Sequence, residues 1–162
     1  MKHCEDVNLT DKFPLVGKIV TGIAFYGVII IGLYVIFQES IAWGLGYTAF
    51  LIFGFVVLFG YGVCAHCPYP YKYSDCFFPP FGQLVAKMYK FRPEPFNVID
   101  KIGFFIIMGG MVVIPQYWLF KNYAMLVVFW ILCVFMVALL QFYGCRRCRN
   151  FTCPFNTVKE KP

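Results

Sequence analysis

Charge is scarce in this chain. Of its 162 residues only 14% are charged, whereas 60% are hydrophobic, and the mean hydropathy is +0.70. An average soluble domain is about 25% charged and about 45–50% apolar. The shortage excludes a disordered chain, a coiled coil and an ordinary soluble enzyme, and it indicates an integral membrane protein. The length allows a single membrane domain, 1–162, with no room for additional soluble domains. Asp, Glu, Lys, Arg and His are missing altogether from four apolar runs, 19–37, 41–63, 102–120 and 123–143. Without histidine there, no bis-histidine haem can sit in the bilayer. Without carboxylates or lysines, a proton relay or ion-coupled pathway has no groups to use. No nucleotide-binding motif is present either, so catalysis by this chain alone has no visible basis.

Each run has the roughly 17–25 residues that cross a bilayer as a helix, and lipid leaves the backbone no alternative but a helix. The expected fold is an all-α integral membrane protein with four transmembrane helices. Gln38-Glu39-Ser40 and Lys121-Asn122 are short links and make antiparallel hairpins. Thirteen of the fourteen Lys and Arg residues fall before residue 19, between 63 and 102, or after 143, and only Lys121 lies on the other side. The positive-inside rule then places both termini and the central loop in the cytoplasm, in an inner or plasma membrane. The net charge of +6 thus reports topology and attraction to anionic lipid heads rather than nucleic-acid binding. The start, Met1-Lys2-His3-Cys4-Glu5-Asp6, is polar and carries acids, unlike a secretory signal peptide or a lipoprotein leader.

The halves echo each other. Phe13, Lys18, Ile19, Tyr34 and Phe37 recur as Phe96, Lys101, Ile102, Tyr117 and Phe120, all at an offset of 83. Tyr61-Gly62 then precedes Cys64-x-x-Cys67, and Tyr143-Gly144 precedes Cys145-x-x-Cys148. A third cysteine closes each unit, Cys76 and Cys153. Ordered matches ending in two cysteine motifs predict a tandem duplication, with repeats at 13–80 and 96–155 related by a pseudo-twofold along the membrane normal. Both triads then emerge on one cytoplasmic face as a cysteine-rich cap. Between the repeats, Phe81, Leu84, Val85 and Met88 fall at helical spacing opposite Gln83, Lys87 and Lys90. This pattern predicts a short interfacial helix near 81–91, or else an irregular loop pinned by its aromatics.

Seven of the eight cysteines are expected on the cytoplasmic side. Cys133, inside the fourth run, reads as a small packing residue. Reduced cytosolic thiols in pairs bind metals or do redox chemistry more often than they form disulfides. Cys64, Cys67, Cys76, Cys145, Cys148 and Cys153 are therefore the candidate ligands. Each triad lacks a fourth ligand, for which Cys4, His66, His3 or a cysteine of the other half are candidates. Cys67-Pro68 and Cys153-Pro154 favour an iron–sulfur cluster, and Arg146, Arg147 and Arg149 would offset its negative charge. Zinc on four thiolates is the alternative. A dithiol or an acylated cysteine is the metal-free one. The apolar runs add smaller expectations. Gly22, Gly27, Gly32, Gly54, Gly109 and Gly110 would permit close helix packing, and Pro115 would kink the third helix. The 21% aromatic content is compatible with a quinone pocket but is explained as well by packing.

In outline the chain resembles the polytopic membrane ferredoxins that pass electrons from quinol in periplasmic nitrate-reductase systems. The resemblance lies in the four helices and in Cys67-Pro68 and Cys153-Pro154. The cysteine spacing differs and the eight-cysteine ferredoxin tail of that family is absent, so no residue role is carried over. The four-helix thiol–quinone oxidoreductases also have Cys-x-x-Cys pairs, but their working cysteines face the oxidising side. The expected function is an electron-transfer subunit that binds iron–sulfur through the two triads, with membrane lipid and other subunits of a redox complex as partners. A zinc-stapled docking subunit is the alternative, and a thiol-disulfide or quinone oxidoreductase ranks below it.

Overall fold

The computed structural model describes residues 10–78, 81–151, 153, 156 and 158. The described residues are all-helical apart from turns and loops. Four helices are long and apolar enough to cross a membrane: α1 (Leu15–Glu39), α2 (Ile41–His66), α4 (Val98–Leu119) and α5 (Tyr123–Arg147). Between α2 and α4 lie a short turn, Pro68–Lys72, and α3 (Phe81–Met88).

The helix starts follow from local chemistry. Ser40 caps α2 by accepting from the Trp43 N–H at 3.5 Å. Asn122 caps α5 by accepting from the Met125 N–H at 3.3 Å. Asn97 and Asp100 form a reciprocal capping box at the start of α4. At the opposite end of the bundle, where the short links lie, Lys121 and Glu39 pair at 2.7 Å, joining the two connections.

α1 packs along α2 and α5, while the second half of α2 packs along α4. Val28, Ile36, Ile107, Leu119 and Phe129 are fully buried where these helices meet. The outward faces are apolar as well: Leu45, Phe105 and Ile131 are each 60–65% exposed. Such surface is at home in lipid and costly in water. Glycines set some of the contacts. A side chain at Gly54 would collide with Ile107, and one at Gly110 with Phe50. Gly32 sits 3.0 Å from Pro115 and Gly27 3.1 Å from Leu132, measured from where a Cβ would stand. Gly22 and Gly109 do not share this role, because nothing lies within 4 Å of a Cβ at either. Periodicity could not reveal which glycines face a neighbour.

The helical ladder of α4 breaks at Ile114–Pro115. Pro115 has no N–H to give the Met111 carbonyl. The Tyr47 hydroxyl of α2 donates to that carbonyl instead, at 2.9 Å. The break is thereby satisfied from a neighbouring helix, as buried backbone requires.

α2 and α5 finish alike. Each passes through a π-helical stretch, Gly54–Tyr61 and Leu140–Gly144, into a 3₁₀ turn, Cys64–His66 and Cys145–Arg147. The second cysteine of each pair then leaves in nearly the same extended conformation, φ −85° and ψ 126° at Cys67 and φ −80° and ψ 129° at Cys148. α3 packs on the π stretch of α2. Phe81 meets Phe55 and Phe59, and the Tyr89 hydroxyl donates to the Val56 carbonyl at 3.2 Å. Val85 is buried, whereas Leu84 and Met88 are exposed.

Candidate metal centre

The six candidate cysteines lie at the end of the bundle where α2 and α5 terminate. The first pair is held by a tight turn in which the Cys67 N–H donates to the Cys64 carbonyl at 3.1 Å. Pro68, which has no N–H to lose, opens the next helical turn. The second halves of the motifs converge. Cys67 and Cys148 both pack against one buried cluster, Phe13, Tyr69 and Phe77. Cys67 lies within electrostatic reach of Cys148, Cys76 and Cys153. Cys64 has Cys76 and Cys67 as its charged-state neighbours, and Cys145 has Cys153 and Cys148.

Backbone donors are aimed at two of these sulfurs. The Phe78 N–H donates to Cys76 Sγ and the Asn150 N–H to Cys148 Sγ, each at 3.4 Å. The Gly82 N–H, in the first turn of α3, donates to the Phe78 carbonyl at 3.3 Å, and Cys76 lies against this glycine.

Burial dominates the acidity of these thiols. It pushes Cys67 well up, against the Tyr69 N–H and with help from the neighbouring cysteines. It raises Cys76 against the Phe78 and Gly82 N–H groups. It carries Cys148 up to about 11, with the Asn150 N–H pulling back. Without metal these groups are thiols at neutral pH. A redox dithiol requires the opposite, a low-pKa thiolate open to solvent.

Several polar residues that the sequence did not single out hold this end together. Asp75 is buried and accepts from the Phe13 N–H at 2.8 Å. It also forms an ion pair with Lys18 of α1, itself mostly buried. The Tyr69 hydroxyl donates to the Thr10 carbonyl at 2.8 Å and accepts from the Arg149 N–H at 3.0 Å. It thus ties the segment after Cys67 to the one after Cys148. The rarity of acids, eight in the chain, was the available signal for Asp75, but its partners lie far away in sequence.

His66 is buried, with Nδ1 2.8 Å from the Glu94 carbonyl and its ring tilted against Phe96 at 4.9 Å between centroids. Nε2 lies 3.3 Å from Asp100 Oδ2 but outside hydrogen-bonding geometry. Arg92 Nη1 approaches the other Asp100 oxygen at 3.9 Å and its guanidinium lies over Tyr61 at 4.5 Å. Both ring nitrogens of His66 therefore face oxygens of the segment leading into α4, and a ligand role would require giving up one of these contacts. Arg149 pairs with Asp11 at 3.0 Å, and Arg146 lies over Phe142 at 4.7 Å. Cys133 is buried inside α5. Cys4, His3 and Pro154 lie outside the described residues.

No family profile, curated protein or solved structure matches the chain. The chemistry is thus argued from its own residues. Among the described residues, no three His, Cys, Asp or Glu side chains are gathered tightly enough to hold a single metal ion. Beneath Phe78 an apolar cleft of about 230 Å³ opens between α1 and α2, lined by Phe25, Phe55, Phe59 and Phe81 among others. Its lining has almost no polar surface with which to hold a quinone's carbonyls.

Proposed function

We propose that the chain is an electron-transfer subunit that binds iron–sulfur through its two cysteine triads, as part of a larger redox complex in the membrane. The observation that carries this reading is the pair of backbone N–H groups aimed at the sulfurs of Cys76 and Cys148, one in each half. A buried neutral thiol gains little from such donors. A thiolate bound to iron needs them, and hydrogen bonds to the sulfurs are among the factors that set a cluster's potential. Structural zinc fits less well. Zinc–sulfur bonds of about 2.3 Å in a tetrahedron bring four sulfurs close around one point. Among the described residues, no three such side chains are gathered round one point. A cluster spreads its thiolates over different irons. Thiols must lose their protons to bind, so cluster assembly releases protons.

The matched ends of α2 and α5 support a tandem duplication, with the triads forming a cysteine-rich cytoplasmic cap about a pseudo-twofold. The cap takes an electron from one partner centre and passes it to another. The chain alone carries out no chemical transformation. The protein sits in the cytoplasmic membrane with both termini inside. Lys121→Cys should react in intact cells with a membrane-impermeant maleimide added from outside. Labelling only after permeabilisation would reverse the orientation.

Reduction is the functional test. Anaerobically purified protein should show visible absorption that dithionite bleaches and a paramagnetic signal that appears on reduction. Cys148→Ser should lose both while inserting into the membrane like the parent. A variant that keeps both signals would remove Cys148 from the site.

A further inference from the structure

One side of α3 is buried on α2, and the other carries apolar and basic groups that no part of the bundle covers. We propose that this second side docks on anionic phospholipid. Leu84 and Met88 sink among the acyl chains of one leaflet, and Lys87 and Lys90 hold its phosphates. The proposal does not depend on the iron–sulfur reading.

Depth carries the argument. Phe81, at the start of α3, packs on Phe55 and Phe59 of α2. Both lie inside the charge-free run 41–63, about one to two helical turns short of its end. Farther along, a Cβ at Gly60 would stand 3.4 Å from both Val85 and Tyr89. Tyr89 then meets Tyr61 at 5.6 Å, and the Arg92 N–H donates to the Ala65 carbonyl at 2.9 Å. α3 thus begins beside the hydrocarbon layer and climbs to the level of the head groups.

The chemistry of α3 changes in the same direction. Leu84 and Met88 are 50% and 51% exposed. At the depth set by Phe81 and Val85, that exposure is to lipid rather than water. Lys87 and Lys90 are exposed near the shallow end, where their stems lie along apolar surface and their ammonium groups reach the phosphates. Between Asp75 and Glu94 the chain has three cations and no acid. Arg92 is engaged by Tyr61 and Asp100. Among the described residues, neither lysine pairs with a carboxylate. A neutral leaflet would satisfy Leu84 and Met88 alone, and an acidic protein would satisfy the lysines alone. An anionic leaflet satisfies both. Because Cys76 lies against Gly82 of the same helix, lipid that holds α3 also steadies the turn at Cys76.

Hydrogen exchange of the full chain in lipid nanodiscs tests this. In discs of equal phosphatidylcholine and phosphatidylglycerol, amides of residues 81–90 should exchange about thirtyfold more slowly than in phosphatidylcholine alone. That factor is two basic residues at about 1 kcal/mol each. Molar salt should remove the difference. So should Lys87→Gln/Lys90→Gln, which keeps the face that α3 buries on α2. Exchange within α1 should be the same in both discs, which separates a local contact from a general gain in stability. Equal exchange of 81–90 in both discs would overturn the proposal and leave the lysines to an acidic protein. A difference that survives in the double variant or at molar salt would overturn it too, as would one shared by every helix.

Discussion

Asp75→Ala should lower the stability of the bundle by about 3 kcal/mol, the usual result of removing one partner from a buried ion pair. The carboxylate accepts from both the Phe13 N–H and the Lys18 ammonium, and the side chains of Lys18 and Asp75 are only 15% and 10% exposed. Alanine leaves an uncompensated cation and an orphaned backbone donor beside the membrane. Adding Lys18→Met should recover most of the loss, since replacing both partners by apolar groups is often close to neutral. Thermal unfolding in detergent micelles reads both effects. If Asp75→Ala melts with the parent, water reaches the pair and the burial argument fails.

Gly82→Ala is the sharper test of the site, because two effects predict opposite signs. Alanine in place of glycine inside a helix ordinarily stabilises by about 1 kcal/mol. Here the added methyl group would overlap both Cβ and Sγ of Cys76, and overpacking of that kind costs about 1–3 kcal/mol. The net expectation is destabilisation, with a cluster content well below the parent's as Cys76 is pushed away from its N–H donor. A variant that is more stable and keeps its iron would show that Cys76 has room to move and that its seat at α3 is incidental.

Much of the fold was legible because the bilayer imposes few solutions. Run length alone located four helices, and Ser40 and Asn122 mark two helix starts by ordinary capping chemistry. The helices extend beyond the apolar runs, to Leu15 and His66 and from Val98 to Arg147 in the second half. Composition reports the hydrocarbon core, whereas the hydrogen-bond ladder continues into the interface. The break at Pro115 was legible, but its repair by Tyr47 was not, since that depends on which helix packs there. The π-helical ends of α2 and α5 left no sequence signal, because the same apolar residues serve either helix type.

The candidate site was legible in kind but not in detail. The cysteine motifs stand out in any apolar chain. The N–H groups aimed at Cys76 and Cys148 come from turns that no side-chain pattern encodes. Asp75 and Lys18 are 57 residues apart, and the return of the chain to α1 after α2 brings them together. His66 sits between two cysteines in sequence and so invited a ligand role. Its ring turns instead towards Glu94 and Asp100, because the loop into α4 comes back beside it.

The most direct measurement is elemental. Protein purified and kept anaerobic from cell lysis onward should contain iron with a matching amount of acid-labile sulfide, and zinc at no more than trace level. Zinc without sulfide, or no bound metal at all, would contradict the claim that these thiols carry an electron-transfer cluster.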